Sequence, residues 1–348
     1  MRWRIASGRM TQGDTSRYTP PMIPLSILDV TAVPEGSTTA DALHNARDLA
    51  QHAERWGYHR LWVAEHHNMQ SIASAATSIV IAHLANATTS IRLGSGGIML
   101  PNHAPLVIAE QFGTLATLFP GRIDLGLGRA PGTDPRTAQA LRRNMHSSVD
   151  NFPNDVLELQ YYLKPAQPGQ AVVATPGAGT EVPLWILGSS LYGAELAAML
   201  GLPFAFASHF APAYMEQAIA LYRKKFEPSE QLDKPYVMLG YNVFAADTNE
   251  EAQLLQTTMM QTFVRLRRGA QGKLAPPQAG YFDTLTPQEQ HMLTDMLRCS
   301  AVGDRNTVAE AMGSFVDATG ADELMLMSSI HDHQQRLRSF EIAATAFG

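Results

Sequence analysis

One cysteine, Cys299, stands in 348 residues, so the chain can close no disulfide within itself. A lone thiol with no motif around it reads as a small buried hydrophobe, in keeping with a reducing cytoplasm. Basic charge is also scarce. With 26 Lys and Arg against 32 Asp and Glu, the net charge is -6, which leaves no positive field for a polyanionic backbone, and nucleic acid is not expected as the main partner. Long apolar runs are missing as well: none approaches the roughly 20 residues that a membrane span needs. At 45% apolar residues and a mean hydropathy of -0.11, the chain reads as a soluble globular protein with a substantial core, acting on a small molecule.

The first 22 residues carry Arg2, Arg4, Arg9 and Arg17 with a single acid, and no apolar stretch long enough for a secretory signal. They are expected to form a disordered leader, leaving residues 23–348 as one domain. From Pro24 onward, short apolar runs alternate with segments of helical period, the pattern of parallel strands joined by crossover helices. Eight strands are expected, at 25–30, 60–65, 91–99, 122–128, 183–188, 204–208, 236–246 and 323–328. Between the first two lies a helix with Leu43, Ala46, Leu49, Ala50, Ala53 and Trp56 on one face, Thr38 near its start and Gly57 just past its end. Eight such units predict an α/β fold, a (β/α)8 TIM barrel. Residues 129–182 and 247–303 exceed ordinary connections and are read as insertions after strand 4 and strand 7. The stretch GAQGKLAPPQAG at 269–280 is expected to act as a flexible lid.

In such a barrel the active site gathers where strands end. Four ends are unusual. The second strand runs into Glu65-His66-His67-Asn68, the third contains Gly96-Gly97, the fourth reaches Gly128-Arg129, and the fifth ends in Gly188-Ser189-Ser190. Adjacent histidines on extended chain point to opposite sides, so at most one of His66 and His67 faces a ligand, where it would suit a proton shuttle, while the other packs; two ordinary half-buried histidines are the other reading. Two glycines inside an apolar strand mark either a bulge or a close approach to the backbone. GLGRAPG is not a dinucleotide-binding turn, because Gly132 comes one residue late and Pro131 sits inside the loop. Arg129 suits either a phosphate fork or an ion pair with Asp134 or Glu110. Ser189-Ser190 opens a helix at Leu191, where free N–H groups and hydroxyls suit an anion. A metal site on His66 and His331 is a rival reading.

Taken in order, GYHRLWVAEHHN (57–68), LGSGGIMLPNHAPLVIAEQFGTL (93–115), GRIDLGLGRAPGTD (121–134) and ILGSSLYGAELAA (186–198) resemble the bacterial luciferase-like flavin monooxygenases, a TIM-barrel family. FASHFAP (206–212) is similar to a segment of their non-luminous branch. The resemblance implies an oxidoreductase that oxidises a small organic substrate with O2, using reduced FMN supplied by a separate NAD(P)H:flavin reductase. It implies that His66 is the active-site base, with Glu65 and His67 supporting it from behind. Gly96-Gly97 falls where the family has a non-prolyl cis peptide against the flavin ring. Glu110 corresponds to an acid near the flavin's polar edge. Arg129, Gly188, Ser189 and Ser190 fall on the phosphate site, with Gly193 on its helical continuation. Gly128 and Ser189 depart from light-emitting members, which have a cysteine and an acid there, so bioluminescence is not expected. A deazaflavin-dependent oxidoreductase on the same fold and a non-catalytic flavin-binding protein are the other readings. The family's pairing through helices beside the second and third strands implies a homodimer, and the apolar segment from Ile72 to Ala87 is read as one such helix. Leu28, Met99, Phe206, His209 and Tyr241 are expected to line the substrate cavity.

Overall fold

In the computed structural model, the described residues are 23–130, 134–141 and 151–347. The expected leader at 1–22 lies outside them, as do Pro131 and Gly132. From the N-terminus run β1 (Leu25–Asp29), α1 (Thr39–Arg55), β2 (Arg60–Val63), α2 (Thr77–Ala85), β3 (Arg92–Met99), α3 (Pro105–Leu118) and β4 (Ile123–Gly128). There follow α4 (Pro135–Leu141), α5 (Phe152–Leu163), β5 (Leu184–Gly188), α6 (Leu191–Met199), β6 (Phe204–Phe206), α7 (Met215–Lys225) and β7 (Val237–Ala245). The chain ends with α8 (Asn249–Arg267), α9 (Pro287–Met296), β8 (Ser300–Gly303), α10 (Arg305–Thr319), β9 (Glu323–Met327) and α11 (His333–Phe347).

The strands pair in parallel in the order β1 to β7, and β9 closes the circle between β7 and β1. That is a closed barrel of eight parallel strands with helices outside, the predicted TIM barrel. β8 is a ninth strand that the sequence does not announce, since Ser300–Gly303 offers only two apolar residues. It pairs with Asn242–Ala245, overlapping at Asn242 the part of β7 that pairs with β9 and continuing past it. The 247–303 insertion is therefore largely built of α8, α9 and β8, whose Leu255, Met259, Leu293 and Leu297 form a core against Phe244 of β7. Strands buried on both faces read as near-continuous apolar runs, and β1, β2 and β7 are buried along their whole length.

Local signals fix the helices. Thr38 caps α1 in a reciprocal box: its hydroxyl accepts from the Asp41 N–H at 3.1 Å, while the Asp41 carboxylate accepts from the Thr38 N–H at 2.8 Å. Gly57, at φ +79°, takes the left-handed position after the helix end. The helix expected over 72–87 is shorter. It begins at Thr77, because Ile72 is held in an antiparallel bridge to Ala32.

Inside the barrel, polar and apolar layers are separated. At the N-terminal end of the strands, buried Arg60 donates to Glu323 at 2.9 Å and to Asp124 at 2.7 Å. Arg92 also donates to Asp124, Ser26 to Glu323, and the Tyr236 hydroxyl to Glu323 at 2.9 Å. Above this charge-balanced floor, Trp62 and Trp185 meet edge to face at 5.1 Å, with Leu28, Met238 and Met325 beside them. The barrel is filled up to this level, and the open space lies above it.

Candidate active site

A cavity of about 590 Å³ opens at the C-terminal ends of the strands, the side on which barrel enzymes carry their chemistry. Its wall includes His66, Gly96, Gly97, Arg129, Gly188, Ser189, Ser190 and Gly193, brought together from residues 127 positions apart in the chain. Four separate strand ends thus meet in one space.

β2 ends at Val63, and extended backbone carries the chain on through Glu65 and His66. Alternation then sends neighbours to opposite sides. His66 lines the cavity, whereas Glu65, 1% exposed, turns behind it. There the Glu65 carboxylate accepts from His67 Nε2 at 2.8 Å, His103 Nε2 at 3.0 Å, the Met99 N–H at 3.0 Å and Asn102 Nδ2 at 3.2 Å. Burial would raise the pKa of this acid, but the bonds from His103, His67 and Met99 outweigh it and hold the group down at about 2. Glu65 is therefore an anion that ties the end of β2 to the turn after β3. Asn68 follows at φ +56°, a left-handed position that asparagine tolerates.

The Gly96–Gly97 peptide is cis. A Cβ on Gly96 would lie 2.7 Å from Leu28 Cδ1, and one on Gly97 would lie 2.8 Å from the Gly126 carbonyl oxygen. Neither position has room for a side chain against its protein neighbours, and the cavity wall here is bare backbone. The pairing of β3 with β4 shifts register between Ser95 and Ile98, around these glycines.

At the other side, Ser190 is the N-cap of α6 and makes no side-chain capping bond. The first-turn N–H groups of a nine-residue helix have no intrahelical acceptors, and such an end favours an anion. Gly188 and Gly193 allow strand and helix to approach: a Cβ on Gly193 would stand 3.3 Å from the Gly188 Cα. The Arg129 guanidinium lies 4.0 Å from the centre of the Tyr192 ring, and among the described residues it has no ion pair with Asp134 or Glu110. A phosphate fits this corner: one delocalised cation, two hydroxyls and a helix N-terminus.

Leu28, Met99, Phe206 and His209 line the cavity as expected. Tyr241 does not. Its ring faces outward and stacks at 4.5 Å on Phe315 of α10, because it occupies a β7 position whose side chain points to the helices. Glu110 lies on α3 and is not part of the cavity wall. His331 does not join His66: its Nε2 meets the Glu35 carbonyl oxygen at 3.0 Å. Among the described residues no three His, Cys, Asp or Glu are grouped to hold a metal. Sequence reasoning missed Phe152 of α5 and Met259, Phe263 and Leu266 of α8, which complete the apolar wall. Nothing in their local pattern marks them, since both helices belong to the insertions and reach the barrel only by tertiary packing. The segment expected as a lid does cover the mouth with Ala270–Leu274. It is fastened there: the Leu274 N–H donates to Val33 at 3.0 Å, the Glu35 N–H donates to Leu274 at 2.8 Å, and Arg265 pairs with Glu35 at 2.8 Å.

The model of the luciferase-like monooxygenase family matches residues 23–323. A luciferase-like monooxygenase of Escherichia coli K12 is 55% identical, over 92% of this chain and 96% of its own. The N-acetyl-S-alkylcysteine monooxygenase of Bacillus subtilis is 31% identical, over 93% and 98% respectively. Among solved structures, apo-MsnO8 superposes with a TM-score of 0.83 at 36% identity, covering 93% of this chain and 98% of that one. With a cavity at the strand ends and these relatives spanning almost its whole length, the chain belongs to the luciferase-like monooxygenase family of flavin-dependent oxidoreductases, in a non-luminous branch.

Proposed function

We propose that the protein is the oxygenase component of a two-component system: it takes up reduced FMN made by a separate NAD(P)H:flavin reductase and oxidises a small, largely apolar organic substrate with O2. The observation that carries this reading is the convergence, in one cavity, of His66, the bare Gly96–Gly97 wall and the phosphate corner of Arg129, Ser189 and Ser190. When bound, reduced flavin supplies the two electrons that let one oxygen atom of O2 enter the substrate while the other leaves as water. The chain does the rest. Arg129, the two hydroxyls and the N-terminus of α6 hold the phosphate, with Gly188 and Gly193 setting the helix close to the strand. Gly96 and Gly97 leave space for the ring. His66 moves the proton, and Glu65 with His67 holds its segment in place. Phe152, Met259, Phe263 and the Ala270–Leu274 segment keep water from the reaction.

The test is to supply the purified chain with NADH, FMN and O2, with and without an added flavin reductase. No NADH oxidation by the chain alone, together with slower release of hydrogen peroxide from reductase-made reduced FMN when the chain is added than with the reductase alone, supports the two-component reading. Rapid NADH oxidation by the chain alone contradicts it, and binding of reduced deazaflavin coenzyme in preference to reduced FMN replaces the cofactor.

We also propose that the chain pairs with a second copy through α2 and α3. Ile79 is 70% exposed and Leu118 63% exposed on these helices, more apolar surface than a helix turned toward water normally shows. Light scattering at micromolar concentration checks this, a monomer being the contrary result.

A further inference from the structure

His209 lines the cavity yet has no role in the site described above. It follows β6 and is 8% exposed. Its Nδ1 is buried without a hydrogen-bond partner. Buried polar groups are ordinarily satisfied, so this one requires a reason.

Its backbone is firmly held. The Ser208 hydroxyl donates to the Gly240 carbonyl at 2.7 Å, Asn242 Nδ2 donates to the His209 carbonyl at 2.6 Å, and the Ala207 N–H donates to Gly188 at 2.9 Å. Arg298 donates to the Pro212 carbonyl a few residues on. The ring is fixed too. A Cβ on Gly240 would stand 2.1 Å from His209 Nδ1 and 3.0 Å from its Cε1, so Nδ1 faces the Gly240 Hα that such a Cβ would replace. A proton on Nδ1 would be driven against a C–H, whereas a lone pair there makes a tolerable weak contact. The neutral ring therefore carries its proton on Nε2, on the side away from β7. Burial and the nearby His66 both oppose a second proton and hold the pKa down at about 4.

We propose that His209 is a positioning residue of the cavity, its Nε2–H donating a hydrogen bond to a neutral acceptor oxygen of an otherwise apolar substrate: a ketone, aldehyde or ester carbonyl. An uncharged ring gives no counter-charge to a carboxylate, and with its lone pair turned onto Gly240 it cannot accept from an ammonium or hydroxyl donor. The His209 ring meets Phe210 edge to face at 5.0 Å, and the same cavity wall carries Phe206, Met238 and Met327 as well as the nearby His66, so a mostly apolar chain carrying one carbonyl matches both parts of the surface. This assignment of substrate class rests on the reading of the cavity as the substrate site of a flavin monooxygenase.

The test uses the full chain without flavin, so that it stands or falls apart from the cofactor. 2-Nonanone labelled with 13C at the carbonyl is bound to wild type, His209→Phe and His209→Gln, with nonane as the matched hydrocarbon, and affinity is followed by quenching of tryptophan fluorescence. Wild type is expected to prefer the ketone about five- to tenfold, the worth of one buried hydrogen bond, and to shift its infrared carbonyl band to lower frequency. His209→Phe should lose both the preference and the shift while still binding nonane, and His209→Gln, which restores an N–H donor, should regain part of each. Equal affinity for ketone and alkane in wild type, or an unshifted band in bound ketone, overturns the proposal. So does an Nδ1–H tautomer of His209 in 15N spectra of the wild-type chain, a measurement that needs no variant to fold. Failure to bind reduced FMN would sink the monooxygenase reading and leave these results standing.

Discussion

The two ends of the barrel are built from the same eight strands and treat polar groups in opposite ways. At the N-terminal end, Arg60, Arg92, Asp124, Glu323, Ser26 and Tyr236 all find partners within the layer. At the C-terminal end Glu65 is fully partnered behind the wall, but Ser190, which lines the cavity, leaves its capping bond unmade. A satisfied network rigidifies, whereas an unsatisfied polar group waits for a ligand. The lower end is thus closed by its own charges, and the upper end is left for a guest whose polar atoms complete it.

The largest expected effect comes from the lower end. Arg60→Ala leaves Glu323 and Asp124 buried without their main counter-ion, and loss of one partner from a buried pair costs about 3 to 5 kcal/mol. Denaturant unfolding should show a loss of that size, and the surviving folded fraction should still bind flavin. An upper-end change, Gly97→Ala, should also cost stability, because its new methyl meets the Gly126 carbonyl oxygen, but unlike Arg60→Ala it should weaken reduced FMN in the fraction that folds; equilibrium titration checks it.

The next effect is in acid. The folded pKa of Glu65 is held down at about 2, below its ordinary value of 4.5, so its contribution is complete above pH 4.5 and is lost as pH falls through that window toward 2. The difference amounts to about 3 kcal/mol. Glu65→Gln should flatten the pH dependence of unfolding free energy there, and an unchanged slope would remove Glu65 as the clamp. His209 acts over a separate window. Its pKa lies at about 4, lowered from 6.5, so the unfolded chain takes up a proton first and stability declines as pH falls from 6.5 toward 4. His209→Phe should remove that part of the decline.

Arg129→Ala should weaken reduced FMN by about ten- to a hundredfold, the range for charge-assisted bonds to a phosphate, with little change in unfolding because Arg129 is exposed. Ser190→Ala should be the mildest, a few-fold loss of cofactor affinity through one neutral bond. If Ser190→Ala instead costs as much stability as a lost helix cap, about 1 kcal/mol, its hydroxyl serves the fold rather than the guest.

Much of the upper end is legible along the chain, because the strands bring their cavity-lining residues at or just after the ends of their apolar runs. VAEHHN shows His66 and its support by alternation alone, and Gly96–Gly97 stands out because two glycines interrupt an otherwise apolar strand. The lower end is less legible. Arg60, Asp124 and Glu323 read as ordinary charges at strand starts, and their meeting is a property of barrel closure over 263 positions of sequence. Tyr241 misleads for a related reason: a strand buried on both faces carries apolar residues on each, and the pattern does not tell inward from outward. β8 and the α8 side of the cavity stay hidden because their place is set by packing of an insertion, not by local period.

The most direct measurement is anaerobic titration of the wild-type chain with photoreduced FMN and, in parallel, photoreduced riboflavin, which lacks the phosphate. Both should bind, FMN at least about tenfold more tightly, and Arg129→Ala should shrink the difference, leaving the part due to the two hydroxyls and the α6 N-terminus. Equal affinities, or binding of neither, would contradict a cavity whose open corner is built for the phosphate of reduced FMN.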